Sequence, residues 1–331
     1  MMLKTYVILF GLFIIVVLIV KVLKRTKKIR RQNEYQVFTR IGGHSSLESA
    51  SDYAGAYLPY VLFAIKAYGN RGSDGYRWDE FVKLERDIDP DNGNSRSATW
   101  LQGWEKVDEH DEHDDPLPAP LGSNKQSLGG LGYQIWVSRK RNEIVVAFRG
   151  TDFDQMNDWI SNFRWLRRLF PQTFDQYAQV HLYISEILDK AVKTHGVSDP
   201  RIVSVGHSLG GGLAQQAAYA DKRIRKVYAF NPSIVTGFRA SGEAARKNAE
   251  GLEIDRIYQR GEILAFVRFA GARIVRPPSA NPQVKLVRFN FLADRGWVYR
   301  HGINVLSLGL LAVAGAPAEW EARKTSQLIQ S

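Results

Sequence analysis

Gly206-His207-Ser208-Leu209-Gly210 is the stretch with the clearest capacity for chemistry. It follows a β-branched run, Arg201 to Val205, and leads into Gly211 to Ala218, a small-residue segment that reads as a helix. Strand, G-x-S-x-G and helix in that order form a nucleophile elbow. The turn holds the serine in a strained backbone conformation, and the small neighbours let strand, helix and substrate approach closely. The helix N-terminus directs partial positive charge at an oxyanion formed beside Ser208. A serine hydroxyl is a weak nucleophile and needs a base. Elbow enzymes carry their triad in the order Ser, acid, His. Of the seven histidines, only His207 and His301 lie within or after the elbow. His207 faces away if Ser208 occupies the apex.

The elements that must position these residues alternate between strand and helix. Tyr133 to Val137 alternates in polarity, Arg139 to Asn142 is a polar turn, and Glu143 to Phe148 is apolar, which together predict a hairpin. Tyr177 to Thr194 has the spacing of an amphipathic helix. Lys226 to Phe230 reads as a buried strand ended by Asn231-Pro232, Ala240 to Glu250 as a polar helix, and Arg256 to Gln259 and Val284 to Phe291 as further strands. The fourteen apolar-rich residues from Ile303 to Ala316 are too few to cross a bilayer and predict a buried terminal helix. Upstream, Tyr53, Tyr57, Val61, Ala64, Ile65 and Tyr68 recur at helical spacing, with an interruption at Pro59. Strands alternating with helices predict an α/β fold with a mainly parallel central sheet.

Two clusters resemble metal sites and are read as solvated loops. Asp87, Asp89 and Asp91 have calcium-loop spacing, but the glycine is displaced to Gly93 and Ala98 stands where a closing glutamate belongs. Asp108 to Asp115, with His110 and His113, is followed by Pro116, Pro118, Pro120 and a Gly/Ser-rich stretch, a composition that gives metal ligands no rigid support. The chain has no cysteine, hence no disulfide, thiolate metal site or cysteine nucleophile. No metal or organic cofactor is expected.

The net charge of +11 is concentrated at one end. Residues 1–31 hold eight Lys and Arg and no acid, and without them the other 300 residues carry +3. That distribution argues against a nucleic-acid partner. Tyr6 to Val20 is fifteen residues without a charge. Extended from Leu3 to Leu23 as a helix, it covers ~31 Å, enough for the ~30 Å hydrocarbon core, with Lys4 and Lys21 snorkelling at its ends. No small-residue cleavage site follows, so an uncleaved single-pass anchor is expected rather than a signal peptide. Seven basic residues lie after the span, which places the remainder of the chain in the cytoplasm by the positive-inside rule. The cluster would also bind anionic headgroups, at ~1 kcal/mol per basic residue near the surface. The expected organisation is an anchor with a basic juxtamembrane segment (1–31), a helical and loop-rich extension (32–130) and a catalytic domain (131–331).

Residues 130–305 resemble the class 3, fungal-type lipase branch of the α/β-hydrolases. Four stretches carry the resemblance: Val146-Ala147-Phe148-Arg149-Gly150-Thr151-Asp152, Asn157-Asp158-Trp159, Val205 to Leu213, and Tyr228-Ala229-Phe230-Asn231-Pro232. The resemblance implies Ser208 as nucleophile and His301 as base. It implies an oxyanion hole from the backbone N–H groups of Leu209 and Thr151, with the Thr151 hydroxyl added. The family's acid is an Asp after a strand; here Glu262 occupies the matching position, a departure from the pattern. Asp294, close to His301 in sequence, ranks second, and Asp255, at the wrong end of the strand, third. Phe153 to Phe170 lies where the family carries its lid. There Trp159, Phe163, Trp165 and Leu166 interleave with Arg164, Arg167 and Arg168, a pattern suited to a bilayer surface or to ordinary packing.

The expected function is therefore a membrane-anchored serine esterase acting on glycerolipid or phospholipid acyl esters, with membrane lipids as both substrate and anchor. A small-ester or peptide hydrolase on the same fold, and a degenerate membrane-tethered scaffold, are the alternatives.

Overall fold

The computed structural model describes residues 32–33, 35–42, 44–70, 77–88, 96–111, 117, 130–150, 176–196, 198–233, 235–238, 242–262, 264, 282–291 and 299–314. The expected anchor, Thr151, the expected lid and Asp294 lie outside these residues. Among the described residues, no helix is long and apolar enough to cross a membrane.

In chain order the strands are β1 (Gln36–Ile41), β2 (His44–Ser49), β3 (Glu105–His110), β4 (Tyr133–Ser138), β5 (Glu143–Phe148), β6 (Arg201–His207), β7 (Ile224–Phe230), β8 (Glu253–Gln259) and β9 (Gln283–Phe289). The helices are α1 (Ser51–Lys66), α2 (Trp78–Ile88), α3 (Arg96–Trp100), α4 (Gln176–His195), α5 (Leu209–Ala220), α6 (Gly242–Asn248) and α7 (Ile303–Val313). A 3-10 turn, Tyr299–His301, precedes α7. The nine strands among the described residues form one sheet in the order β2-β1-β9-β8-β7-β6-β5-β4-β3. The central five, β5 to β9, are parallel, and the two pairs flanking them are antiparallel.

Alternation along the central strands sends side chains into two cores, as the period of a strand requires. Val145, Ala147, Val203, Val205, Tyr228, Phe230 and Ile257 pack with α1 and α7 on one face. Ile144, Val146, Phe148, Ile202, Val227, Ala229 and Ile254 pack with α4, α5 and α6 on the other. The expected hairpin is β4–β5. The C-terminal apolar run forms the buried helix α7, every residue of which except Ala312 is buried.

Several features differ from expectation, among them Asp87, expected in a loop, which lies in the last turn of α2. The helix around Pro59 is continuous: α1 runs through it, and every residue from Tyr57 to Ile65 is buried. A proline inside a helix removes one donor and costs ~3 kcal/mol in isolation. Here α1 lies between sheet and α7, and burial of its whole circumference offsets that cost. Asp108 to His110, expected in a loop, belong to the edge strand β3. Its charged residues suit an edge, because they oppose pairing with another chain. Finally, β1, β2 and β3 extend the same sheet that β4 to β9 build, so the sheet runs across residue 130.

Candidate active site

The elbow is held by main-chain geometry. Ser208 has φ +56° and ψ −119°, a conformation that L-residues rarely adopt. Its N–H donates to the Phe230 carbonyl (3.0 Å), and its carbonyl accepts from the Ser233 N–H (2.8 Å). The end of β7 therefore clamps both sides of the turn. Helix α5 approaches β6 and β5 so closely that a Cβ on Gly206 would collide with the Gly210 main chain, and one on Gly210 with the carbonyl of Phe148 at the end of β5. Leu209 is the first residue of α5, so its N–H has no acceptor within the helix.

His301 and Glu262 meet, although 39 residues separate them. His301 Nδ1 lies 2.6 Å from Glu262 Oε2, and both side chains are fully buried. The carboxylate also accepts the Leu264 N–H at 2.9 Å. Two elements bring them together. Glu262 lies in the turn after β8, at the carboxyl end of the parallel strands, and His301 closes the 3-10 turn before α7. Asp255 is elsewhere: it bonds to Tyr57 Oη and Lys226 Nζ, both at 3.0 Å, near the start of β8.

His207, at the end of β6, is fully buried between Tyr68 and His301, and these surroundings give it a task. Its Nε2 lies 2.8 Å from the His301 carbonyl and its Nδ1 3.0 Å from Tyr68 Oη. A carbonyl only accepts, so Nε2 carries the proton and Nδ1 accepts from the tyrosine hydroxyl. Burial, followed by the nearby His301 ring, holds the His207 pKa well below 6.5, which keeps the ring in this neutral form. The His301 carbonyl accepts a second bond from Asn231 Nδ2 at 3.1 Å. Asn231, at φ +41°, is itself fixed by its Oδ1 accepting from Gln259 N (2.8 Å) and its own N–H donating to Ile257 O (2.8 Å). Two donors thus fix the main chain of His301 while Glu262 orients its ring.

Tyr68 was not among the candidate site residues. It sits in the turn beyond α1 and fills the space where Gly150 would carry a Cβ, just before Thr151. Its sequence signal was only helical periodicity. The contact that matters spans 139 residues.

A mainly parallel sheet with a strained serine after β6, next to its central strand β7, and a buried His–Glu pair at the same end has the layout of an α/β-hydrolase of the lipase type. More narrowly, residues 97–283 match a phospholipase-like family model, the Tle-like phospholipase domain, and the chain belongs to that family. No match was found among curated protein sequences. Solved structures with partial likeness include the Rhizomucor miehei lipase propeptide complex in a deletion mutant, at 13% identity, TM-score 0.41, and coverage of 69% of this chain and 64% of that one. Another is the Rhizopus microsporus var. chinensis lipase, at 15% identity, TM-score 0.40, and coverage of 70% and 71%. A third is a lipase of Yarrowia lipolytica, at 19% identity, TM-score 0.40, and coverage of 66% and 74%. The chain thus spans just under two thirds of the first of these relatives.

Proposed function

We propose that this protein is a membrane-tethered serine hydrolase that cleaves acyl esters of phospholipids or other glycerolipids. The observation that carries the proposal is the buried His301–Glu262 pair, held at the same end of the sheet as the strained Ser208. Ser208 Oγ attacks the ester carbonyl while His301 Nε2 takes its proton. Glu262 keeps the other proton on Nδ1 and stabilises the imidazolium that forms. The oxyanion faces the Leu209 N–H and, by family resemblance, the Thr151 N–H and hydroxyl. His301 then protonates the departing alcohol, and water cleaves the acyl-enzyme by the same steps in reverse.

Membership of a phospholipase-like family supports a phospholipid substrate. The uncharged stretch from Tyr6 to Val20 and the basic residues after it support an anchor with the hydrolase on the cytoplasmic side. Trp159, Phe163, Trp165 and Leu166 would form a lid that admits acyl chains.

The test is fatty-acid release by the detergent-solubilised full chain from mixed phospholipids and mono-, di- and triacylglycerols, beside Ser208→Ala. Release should lead on phospholipid and fall about 10⁴-fold or more in the variant. Cleavage of a short soluble ester with no lipid released would overturn the lipid assignment.

A further inference from the structure

We propose that the carboxyl end of the sheet faces the bilayer that holds the chain, so that Ser208 takes its lipid from the host membrane. The proposal rests on the membrane-tethered hydrolase reading above and adds its orientation.

The first described residue, Gln32, is buried and clamped. Its Nε2 donates to the carbonyls of Gln36 and Arg288, both at 2.7 Å. Its own carbonyl accepts from Asn290 Nδ2 at 3.1 Å and Arg260 Nη1 at 3.4 Å. Because β1 runs antiparallel to β9, the start of β1 lies at the carboxyl end of β9. Asn290 follows β9 directly, and Arg260 follows β8 and stands two residues before Glu262. The chain therefore enters the fold at the catalytic end.

Only eight residues separate Leu23, the end of the expected span, from Gln32, and six of them are Lys or Arg. Fully extended, that leash reaches about 30 Å. A body of about 300 residues is roughly 50 Å across. Turning the catalytic end away from the membrane would lift Gln32 about 50 Å above the surface, beyond the leash. The six cations would be drawn to anionic headgroups, which favours a short leash over an extended one. At the same end, Tyr299 is 47% exposed two residues before His301, with the partly exposed Arg300 beside it. An amphipathic aromatic next to a cation suits a headgroup layer.

The chain has no cysteine, so single labels can be placed freely. Tyr299→Cys marks the catalytic end, and Lys140→Cys, in the exposed turn before β5, marks the opposite end. Each full-length variant is labelled with a fluorophore and reconstituted into phosphatidylcholine–phosphatidylglycerol vesicles carrying a headgroup quencher. Quenching should be several-fold stronger at 299 than at 140. With fluorogenic phospholipid in host or in separate acceptor vesicles, host hydrolysis should be at least tenfold faster. Equal quenching at the two sites, or stronger quenching at 140, overturns the orientation, as does equal hydrolysis of host and acceptor lipid. A short soluble ester, run beside Ser208→Ala, separates the layers. If its serine-dependent cleavage persists while host preference is lost, only the orientation fails. If no ester is cleaved, the hydrolase reading fails, and the quenching pattern still decides the orientation. If the protein does not float with the vesicles, the tether and the orientation fall together.

Discussion

At the amino ends of β7 and β8, Lys226 bonds to Glu253 and Asp255 at 3.0 Å each, and Asp255 also accepts from Tyr57. Nearby, Glu143 accepts from Tyr60 and from Arg201. At the carboxyl ends of the neighbouring strands stand a serine at φ +56°, an asparagine at φ +41° and a buried histidine kept neutral. One end balances charge with charge; the other holds strained backbone and a buried His–Glu pair. Burial lowers the Lys226 pKa, but Asp255 and Glu253 outweigh it and the net shift is upward. The paired end is where removal of a group should cost stability, and the strained end is where it should cost rate.

That contrast can be broken by substitution. Glu262→Gln keeps the shape of the acid but not its charge. It should lower kcat about 10³- to 10⁴-fold with little change in KM or melting temperature, measured by steady-state kinetics and thermal unfolding. A large stability loss with modest rate loss would place Glu262 with the structural charges. At the opposite end, Lys226→Met retains the apolar stem and leaves Asp255 buried with Tyr57. It should cost about 3 kcal/mol in denaturant unfolding and leave kcat of the folded fraction unchanged. A changed kcat would show that the two ends are coupled.

Smaller effects sharpen the comparison within the site. Tyr68→Phe removes the hydroxyl that donates to His207. It should reduce kcat by roughly three- to tenfold with KM unchanged. An effect on KM alone would exclude a positioning role through His301. The pH dependence of stability gives a last test. His207 has a lowered pKa in the folded chain, so the unfolded chain takes up its proton first as pH falls through 6.5. Its contribution is complete above pH 6.5 and is lost below it, by up to about 1.4 kcal/mol per pH unit. His207→Gln, whose amide can donate to His301 and accept from Tyr68 without titrating, should flatten that part of the acid slope. Melts between pH 7.5 and 5 that superimpose in slope would remove His207 from the acid response.

The central fold was legible because its signals are local. The β-branched strands, the small-residue helix after Ser208 and the amphipathic spacing of α4 each read within one window. The edges were less legible. β1 and β2 are short and polar on one side, and β3 is rich in charge, so neither periodicity nor composition marks them. Pro59 misled because helix-breaking is a local cost, whereas burial of α1 between sheet and α7 is a tertiary gain.

The site divides in the same way. Ser208, the glycines around it and the order of Ser before His were determined by sequence alone, because an elbow is one continuous pentapeptide with fixed flanks. Which carboxylate meets His301, and what holds His301 in place, only the tertiary structure decided. Glu262 and Asp255 are only seven residues apart but lie at opposite ends of β8, whereas Asn231, some thirty residues from Glu262, follows β7 and joins it at the carboxyl end around His301. Tyr68 reaches the site from the turn after α1 because α1 packs on the sheet face beneath it. A strand fixes where its ends lie only once its neighbours have paired, and that pairing is what brings distant residues within hydrogen-bonding distance.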